Sequence, residues 1–130
     1  MTDLSALLRE SDVVSLHLPG SPDYAGMFSD EAFSAMKPGA IFINTARGIL
    51  VDSAALLRAV RSGHLAGAAV DVYQPEPAAP DEPLLQDPRI LCTPHSASES
   101  KESYMRCGNM IAQQILDVFS GRLPANCLNP

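Results

Sequence analysis

The chain has 130 residues, 46% of them hydrophobic and 18% charged, with 5% aromatics, no Trp and a formal charge of -6. That balance excludes a disordered tail and predicts one globular domain, residues 1–130, with an aliphatic core. The acidic excess excludes a nucleic-acid or anionic-membrane surface, which needs clustered Lys and Arg.

Leu4, Leu7 and Leu8 recur at helical spacing ahead of Glu10-Ser11-Asp12, which predicts the end of a helix. Val13, Val14, Leu16 and Leu18, stopped by Pro19-Gly20, read as a strand buried on both faces, as in a parallel sheet. His17, inside that run, fits a packed or partly exposed side chain better than a catalytic one. Ser29 suits the cap of a short helix, with Asp30 and Glu31 in its first turn and Lys37-Pro38-Gly39 at its end.

Ala40 to Ile43 is too short for an ordinary helix and predicts a buried strand giving way to small polar residues. Arg47 then sits between Ala46 and Gly48, where little bulk shields it and the backbone can approach a ligand closely. Its guanidinium offers a planar fork for a carboxylate, although from spacing alone a plain loop cation fits equally well. Asp52 or Ser53 caps a helix with Leu56, Leu57 and Val60 in one stripe, Gly63 as its stop and a solvated His64.

Ala66 to Val70 predicts a third strand carrying Asp71 at its C-terminal end. Pro75, Pro77, Pro80, Pro83 and Pro88 then impose an ordered, extended loop. Ile90-Leu91-Cys92 is a short fourth strand ending at Thr93-Pro94-His95. A helical pattern runs from about Ser98 to Phe119, followed by Gly121 and a Pro-bearing tail. Its apolar residues, Met105, Ile111, Ile115, Leu116 and Phe119, look made to pack against further chain.

Strands alternating with helices predict an α/β fold with a parallel sheet, in which ligands collect beyond the carboxyl ends of strands. Asn44 to Arg47, Asp71, Glu76 and His95 all follow strand ends, so the topology gathers them along one edge. An arginine, a carboxylate and a histidine there suit a carboxylate grip, an orienting acid and a proton donor or acceptor. An unrelated loop cation, a solvated acid and a histidine stiffened by Pro94 remain the alternative. Cys92, Cys107 and Cys127 are an odd number without metal-ligand spacing, so free thiols, no metal site and a reducing compartment are expected. The N-terminus lacks the pattern of a signal peptide and no apolar run reaches membrane-spanning length, so the expected location is cytoplasmic.

Asn44-Thr45-Ala46-Arg47-Gly48 with Val51-Asp52 resembles the signature of the D-isomer-specific 2-hydroxyacid dehydrogenases. The blocks from Ser11 to Pro19, Met36 to Ala40, Asp71 to Pro77 and Thr93 to His95 resemble that family in family order, so the likeness covers essentially the whole chain. It implies an NAD-dependent oxidoreductase, NADP not excluded, that moves a hydride between nicotinamide and a small D-2-hydroxy or 2-oxo acid. It also implies that Arg47 binds the substrate carboxylate, Glu76 supports the histidine and His95 exchanges the proton. On the cofactor side it implies Leu18 and Pro19 as the adenine wall, Thr45 and Ala46 near the nicotinamide ribose, Asp71 on the carboxamide, and Ser96 and Ala97 over the nicotinamide. After His95 the chain reads Ser96-Ala97-Ser98-Glu99-Ser100 where many members have a Gly-rich loop. That stretch is nearer the branch containing the C-terminal-binding-protein corepressors, which makes a non-catalytic nucleotide-sensing or interaction module the alternative.

No Gly-x-Gly-x-x-Gly occurs in the chain. The expectation is therefore a partial Rossmann-like domain, lacking the first βαβ half and the substrate domain, that alone binds NAD weakly and is inactive. The Val13 to Leu18 strand would then expose an unpaired edge, predicting self-association or a complementary chain.

Overall fold

The short β-branched and small-residue runs become four strands in the computed structural model, which describes residues 3–129. They are β1 (Val13–Leu16), β2 (Ile41–Asn44), β3 (Gly67–Val70) and β4 (Ile90–Cys92), all parallel and in the spatial order β1-β2-β3-β4. The helices are α1 (Leu4–Glu10), α2 (Asp30–Ala35), α3 (Ser53–Arg61) and α4 (Lys101–Phe119). The architecture is a partial Rossmann-like α/β sheet with flanking helices. It falls into two compact units: residues 3–97 hold the sheet and α1 to α3, and residues 98–129 hold α4.

Because the strand order never reverses, right-handed crossovers return α2 and α3 to the same face of the sheet. Val14, Leu16, Phe42, Ala68, Val70 and Ile90 form one core with residues of α1, α2 and α3. The expected burial of β1 on both faces is therefore wrong. Its residues alternate, and the parallel register puts Val13 (51% exposed), Ile41 (42%) and Leu91 (67%) on the uncovered face.

The core also departs from the aliphatic expectation. Phe42 is fully buried, its ring 5.1 Å from that of Phe28 and 5.0 Å from Phe33, the latter edge-on at 89°. Phenylalanine is scarce in the composition, but three of the four rings are concentrated in one place.

Local signals set the helix ends with mixed success. Asp52 caps α3, its Oδ1 accepting from the N–H groups of Ala54 (2.9 Å) and Ala55 (3.1 Å). Ser29 occupies the cap position of α2 but makes no side-chain bond; there its carbonyl accepts from the Phe33 N–H at 3.0 Å. In the other unit Ser100 caps α4, so that helix starts later than Ser98. His64 is half-buried rather than solvated, its Nε2–H donating to the Met36 carbonyl at 3.0 Å and tying the end of α3 to the end of α2.

Removing the central ring tests this core. Phe42→Ala should lower the unfolding free energy by about 3 to 5 kcal/mol, seen in urea denaturation as a lower midpoint at unchanged slope. A change under about 1 kcal/mol would show that the aromatic triad is not the centre of the core.

Candidate active site

The segments leaving β2, β3 and β4 emerge side by side at the carboxyl edge of the sheet, since the three strands are neighbours. Asn44, the last residue of β2, is buried at a position where the strand's pattern calls for an apolar side chain. A buried amide needs partners. Its Nδ2 donates to the Arg47 carbonyl at 3.0 Å and its Oδ1 accepts from the Ala46 N–H at 3.0 Å, closing the loop that presents Arg47.

Arg47 is exposed, its Nη1 donating to the Ala46 carbonyl at 2.6 Å, and it forms no ion pair among the described residues. The glycines around it serve the protein rather than a ligand. A Cβ at Gly20 would lie 2.8 Å from Arg47 Cγ, so that glycine makes room for the arginine stem. A Cβ at Gly48 would lie 2.1 Å from the Tyr73 carbonyl oxygen. The close backbone approach expected at Gly48 is thus to the loop after β3 and not to a ligand.

On that loop the Tyr73 N–H donates to Glu76 Oε1 at 2.8 Å, and Glu76 Oε2 accepts from His95 Nδ1 at 2.8 Å. The Tyr73 N–H, the His95 bond and, more weakly, the Arg47 charge hold the Glu76 carboxyl below its ordinary range. An ionised carboxylate only accepts, so Nδ1 carries the hydrogen and Nε2 is left for other chemistry.

Asp71 anchors the turn that carries the same histidine. Its carboxylate is 2% exposed and accepts from the Thr93 hydroxyl, from the Ser96 N–H at 2.8 Å and from the Ala97 N–H at 2.8 Å. Burial pushes this carboxyl up, but the three donors, with the His95 charge, outweigh it and keep the group below the ordinary range. The turn closed by these bonds carries His95 in the left-handed region at φ 58°. A cleft of about 560 Å³ opens in front, lined by Tyr73, Glu76, Leu85, Cys92, Pro94 and His95 among others. Arg47 does not line it.

Of the expected site residues, the structure brings Glu76 and His95 into contact and sets Arg47 beside them through the Gly48–Tyr73 packing. Leu18 and Pro19 lie exposed beyond β1, and Thr45 is exposed. Ala46 is buried with its N–H and carbonyl both bonded within the chain, and the N–H groups of Ser96 and Ala97 are taken by Asp71. His17 is exposed with its Nε2 3.0 Å from Ser15 Oγ. The cysteines are free, and no cluster of His, Cys, Asp or Glu among the described residues could hold a metal. Sequence reasoning missed the roles of Gly20, Asn44, Tyr73 and Thr93. Only Asn44 left a signal, a polar residue at a core position of a strand.

A parallel α/β sheet with a histidine–carboxylate pair and an arginine on its carboxyl edge has the architecture of part of a nucleotide-binding domain. The family profile for the D-isomer specific 2-hydroxyacid dehydrogenase NAD binding domain matches residues 1–97. The glyoxylate reductase of Korarchaeum cryptofilum is 41% identical over 126 residues, covering 97% of this chain and 38% of that protein. A crystal structure of a Thermus thermophilus protein superposes with a TM-score of 0.91 at 44% identity, over 98% of this chain and 41% of that one. The NAD-complexed D-isomer specific 2-hydroxyacid dehydrogenase of Lactobacillus delbrueckii ssp. bulgaricus gives 0.89 at 31% identity, over 98% and 43%. The chain belongs to the D-isomer specific 2-hydroxyacid dehydrogenase family, in its NAD-binding domain. It spans 23% to 40% of the length of such curated relatives.

Asp71 gives a pH test of the turn. It binds its proton more weakly folded than unfolded, so it stabilises the fold above the ordinary value of 3.8 and loses that effect as pH falls through its lower folded value. Asp71→Asn should cost about 1 to 3 kcal/mol at neutral pH, because an amide NH2 would face N–H donors. Urea melts should show the wild-type advantage steady above about pH 5 and shrinking as pH falls from about 4 downward. An advantage constant over that range would mean that Asp71 is not the charged anchor of the turn.

Proposed function

We propose that this chain supplies the nicotinamide side of an NAD-dependent D-2-hydroxyacid dehydrogenase, with NADP the alternative cofactor and small 2-hydroxy or 2-oxo acids as substrates. The observation that carries this reading is the 2.8 Å contact of His95 Nδ1 with a Glu76 carboxylate pinned by the Tyr73 N–H. That arrangement fixes the ring and leaves Nε2 free to exchange a proton. The residues present fit the nicotinamide end of the cofactor, with exposed Thr45 at the carboxyl edge and Ser96 and Ala97 on the turn at His95, while exposed Leu18 and Pro19 beyond β1 fit the adenine side. Asp71, which the resemblance puts against the carboxamide, already accepts from three donors, so its first duty is to the turn.

When bound, the nicotinamide supplies or accepts the hydride at C2. Arg47 binds the substrate carboxylate through the part of its fork not bonded to Ala46, and so orients C2. In the reducing direction His95 gives the Nε2 proton to the carbonyl oxygen as it becomes a hydroxyl; in the oxidising direction Nε2 takes that proton. Glu76 keeps the tautomer and ring orientation through both directions.

We assign both units to one partial NAD-binding domain, since solved relatives align over 98% of the chain. No helix among the described residues is long and apolar enough to cross a membrane. Three free thiols suit the reducing cytoplasm as the compartment of this reading.

The test is a chimera in which the chain replaces the matching segment of the Korarchaeum glyoxylate reductase. It should reduce glyoxylate. His95→Asn, which tolerates the left-handed backbone, should lower kcat by roughly 100- to 10,000-fold with cofactor affinity retained. Arg47→Gln should act chiefly by raising KM. Unchanged turnover in the histidine variant would remove the mechanism.

We also propose that the chain alone self-associates along β1. β1 is an edge strand of the described sheet, and Val13 and Ile41 stand exposed beside it. Light scattering across a concentration series should show a mass above that of one chain, and Val13→Lys should reduce it. A single monomeric mass at the highest concentration would contradict this.

A further inference from the structure

Tyr73 touches all three segments that bear the proposed chemistry. Its carbonyl packs against Gly48, next to Arg47, so tightly that a Cβ there would lie 2.1 Å from the oxygen. Its N–H holds Glu76 Oε1 at 2.8 Å. Its hydroxyl donates to the Thr93 carbonyl at 3.0 Å, two residues before His95, with the Val70 carbonyl 3.3 Å away at the end of β3. The half-buried ring also lines the cleft. The N–H and the hydroxyl of one residue therefore hold the two partners of the Glu76–His95 contact, each from its own strand end.

We propose that Tyr73 is a positioning residue for this site: its hydroxyl, by holding Thr93, keeps His95 within hydrogen-bond distance of Glu76. The proposal rests on Glu76 and His95 acting as a pair. Burial and the adjacent Cys92 thiol push the phenol well above its ordinary range, so it remains a donor throughout the working pH range. A phenylalanine would fill the same volume but could not donate. The Thr93 carbonyl would then turn to solvent, and the segment before His95 would be tied only through the Thr93 hydroxyl and the Thr93 N–H, which donates to the Val70 carbonyl at 3.0 Å.

The test uses the full 130-residue chain, labelled with 13C, and follows the Glu76 carboxyl signal through an acid titration. His95→Asn removes the imidazole and should raise the Glu76 midpoint. Tyr73→Phe should raise it in the same direction by a smaller amount, because the imidazole is loosened but not lost. Val60→Ala, a core truncation remote from the site, controls for general destabilisation and should leave the midpoint where it is. A midpoint that moves in His95→Asn but not in Tyr73→Phe overturns the positioning role and leaves the pair intact. A midpoint that moves in neither overturns the pair itself, and with it the proposal. A shift in Val60→Ala equal to that in Tyr73→Phe also overturns it, since any loosening of the fold would then suffice.

Discussion

Asp71 follows the third strand with a carboxylate out of solvent, and the rest of the site follows from what such a charge requires. An ionised carboxylate taken from water costs several kcal/mol unless its oxygens are bonded. The chain meets that requirement with the turn after β4, which folds back so that the Thr93 hydroxyl and two successive N–H groups, from Ser96 and Ala97, point at one group. Closing so tight a turn puts His95 in the left-handed region, a conformation that costs a histidine something and persists only when the surroundings demand it. The imidazole is thereby delivered to Glu76 on the neighbouring loop.

The sheet supplies the second condition. A strand order without reversal aligns all four carboxyl ends on one edge and sends all crossovers to one face. The same topology that gathers Arg47, Glu76 and His95 therefore sends no crossover helix to the opposite face. Its apolar residues, Val13, Ile41 and Leu91, are the cost of building a nucleotide-binding edge from sequential parallel strands alone.

Much of this was legible before any coordinates. The strands were announced by apolar runs between Pro, Gly and Asp, and parallel pairing followed from their alternation with helices. The site residues stood out because each follows a strand end, a placement that survives errors of a residue or two in strand length; β1 indeed stops at Leu16 and not Leu18. What could not be read were facts of three-dimensional packing. Gly20 and Gly48 are adjacent to the same arginine for opposite reasons, one to admit its stem and one to admit the Tyr73 backbone. His64 looked like a helix-end solvent group, because nothing in its neighbourhood of sequence reveals the Met36 carbonyl 28 residues away. The aromatic core was likewise hidden, since composition counts rings without saying that they meet.

Arg47 and the Glu76–His95 pair do not touch, and the chemistry proposed for them on a 2-hydroxy acid needs them apart. The carboxylate and the C2 oxygen of such a substrate are separate atoms of one rigid fragment, so the guanidinium and the imidazole must be held at a fixed spacing with the substrate between them. In this chain that spacing is not set by a direct bond, which would consume the arginine. It is set at one remove, by Gly48 seated against the Tyr73 backbone on one side and by the Tyr73 N–H on Glu76 on the other. Glycine is the residue that permits this, because a Cβ there would lie 2.1 Å from the Tyr73 carbonyl oxygen, and making room for it would carry the arginine away from the histidine. The fork of Arg47 thus stays open to an incoming anion while its base is clamped, and the Glu76 carboxylate, close enough to feel the arginine's charge, is left to the imidazole.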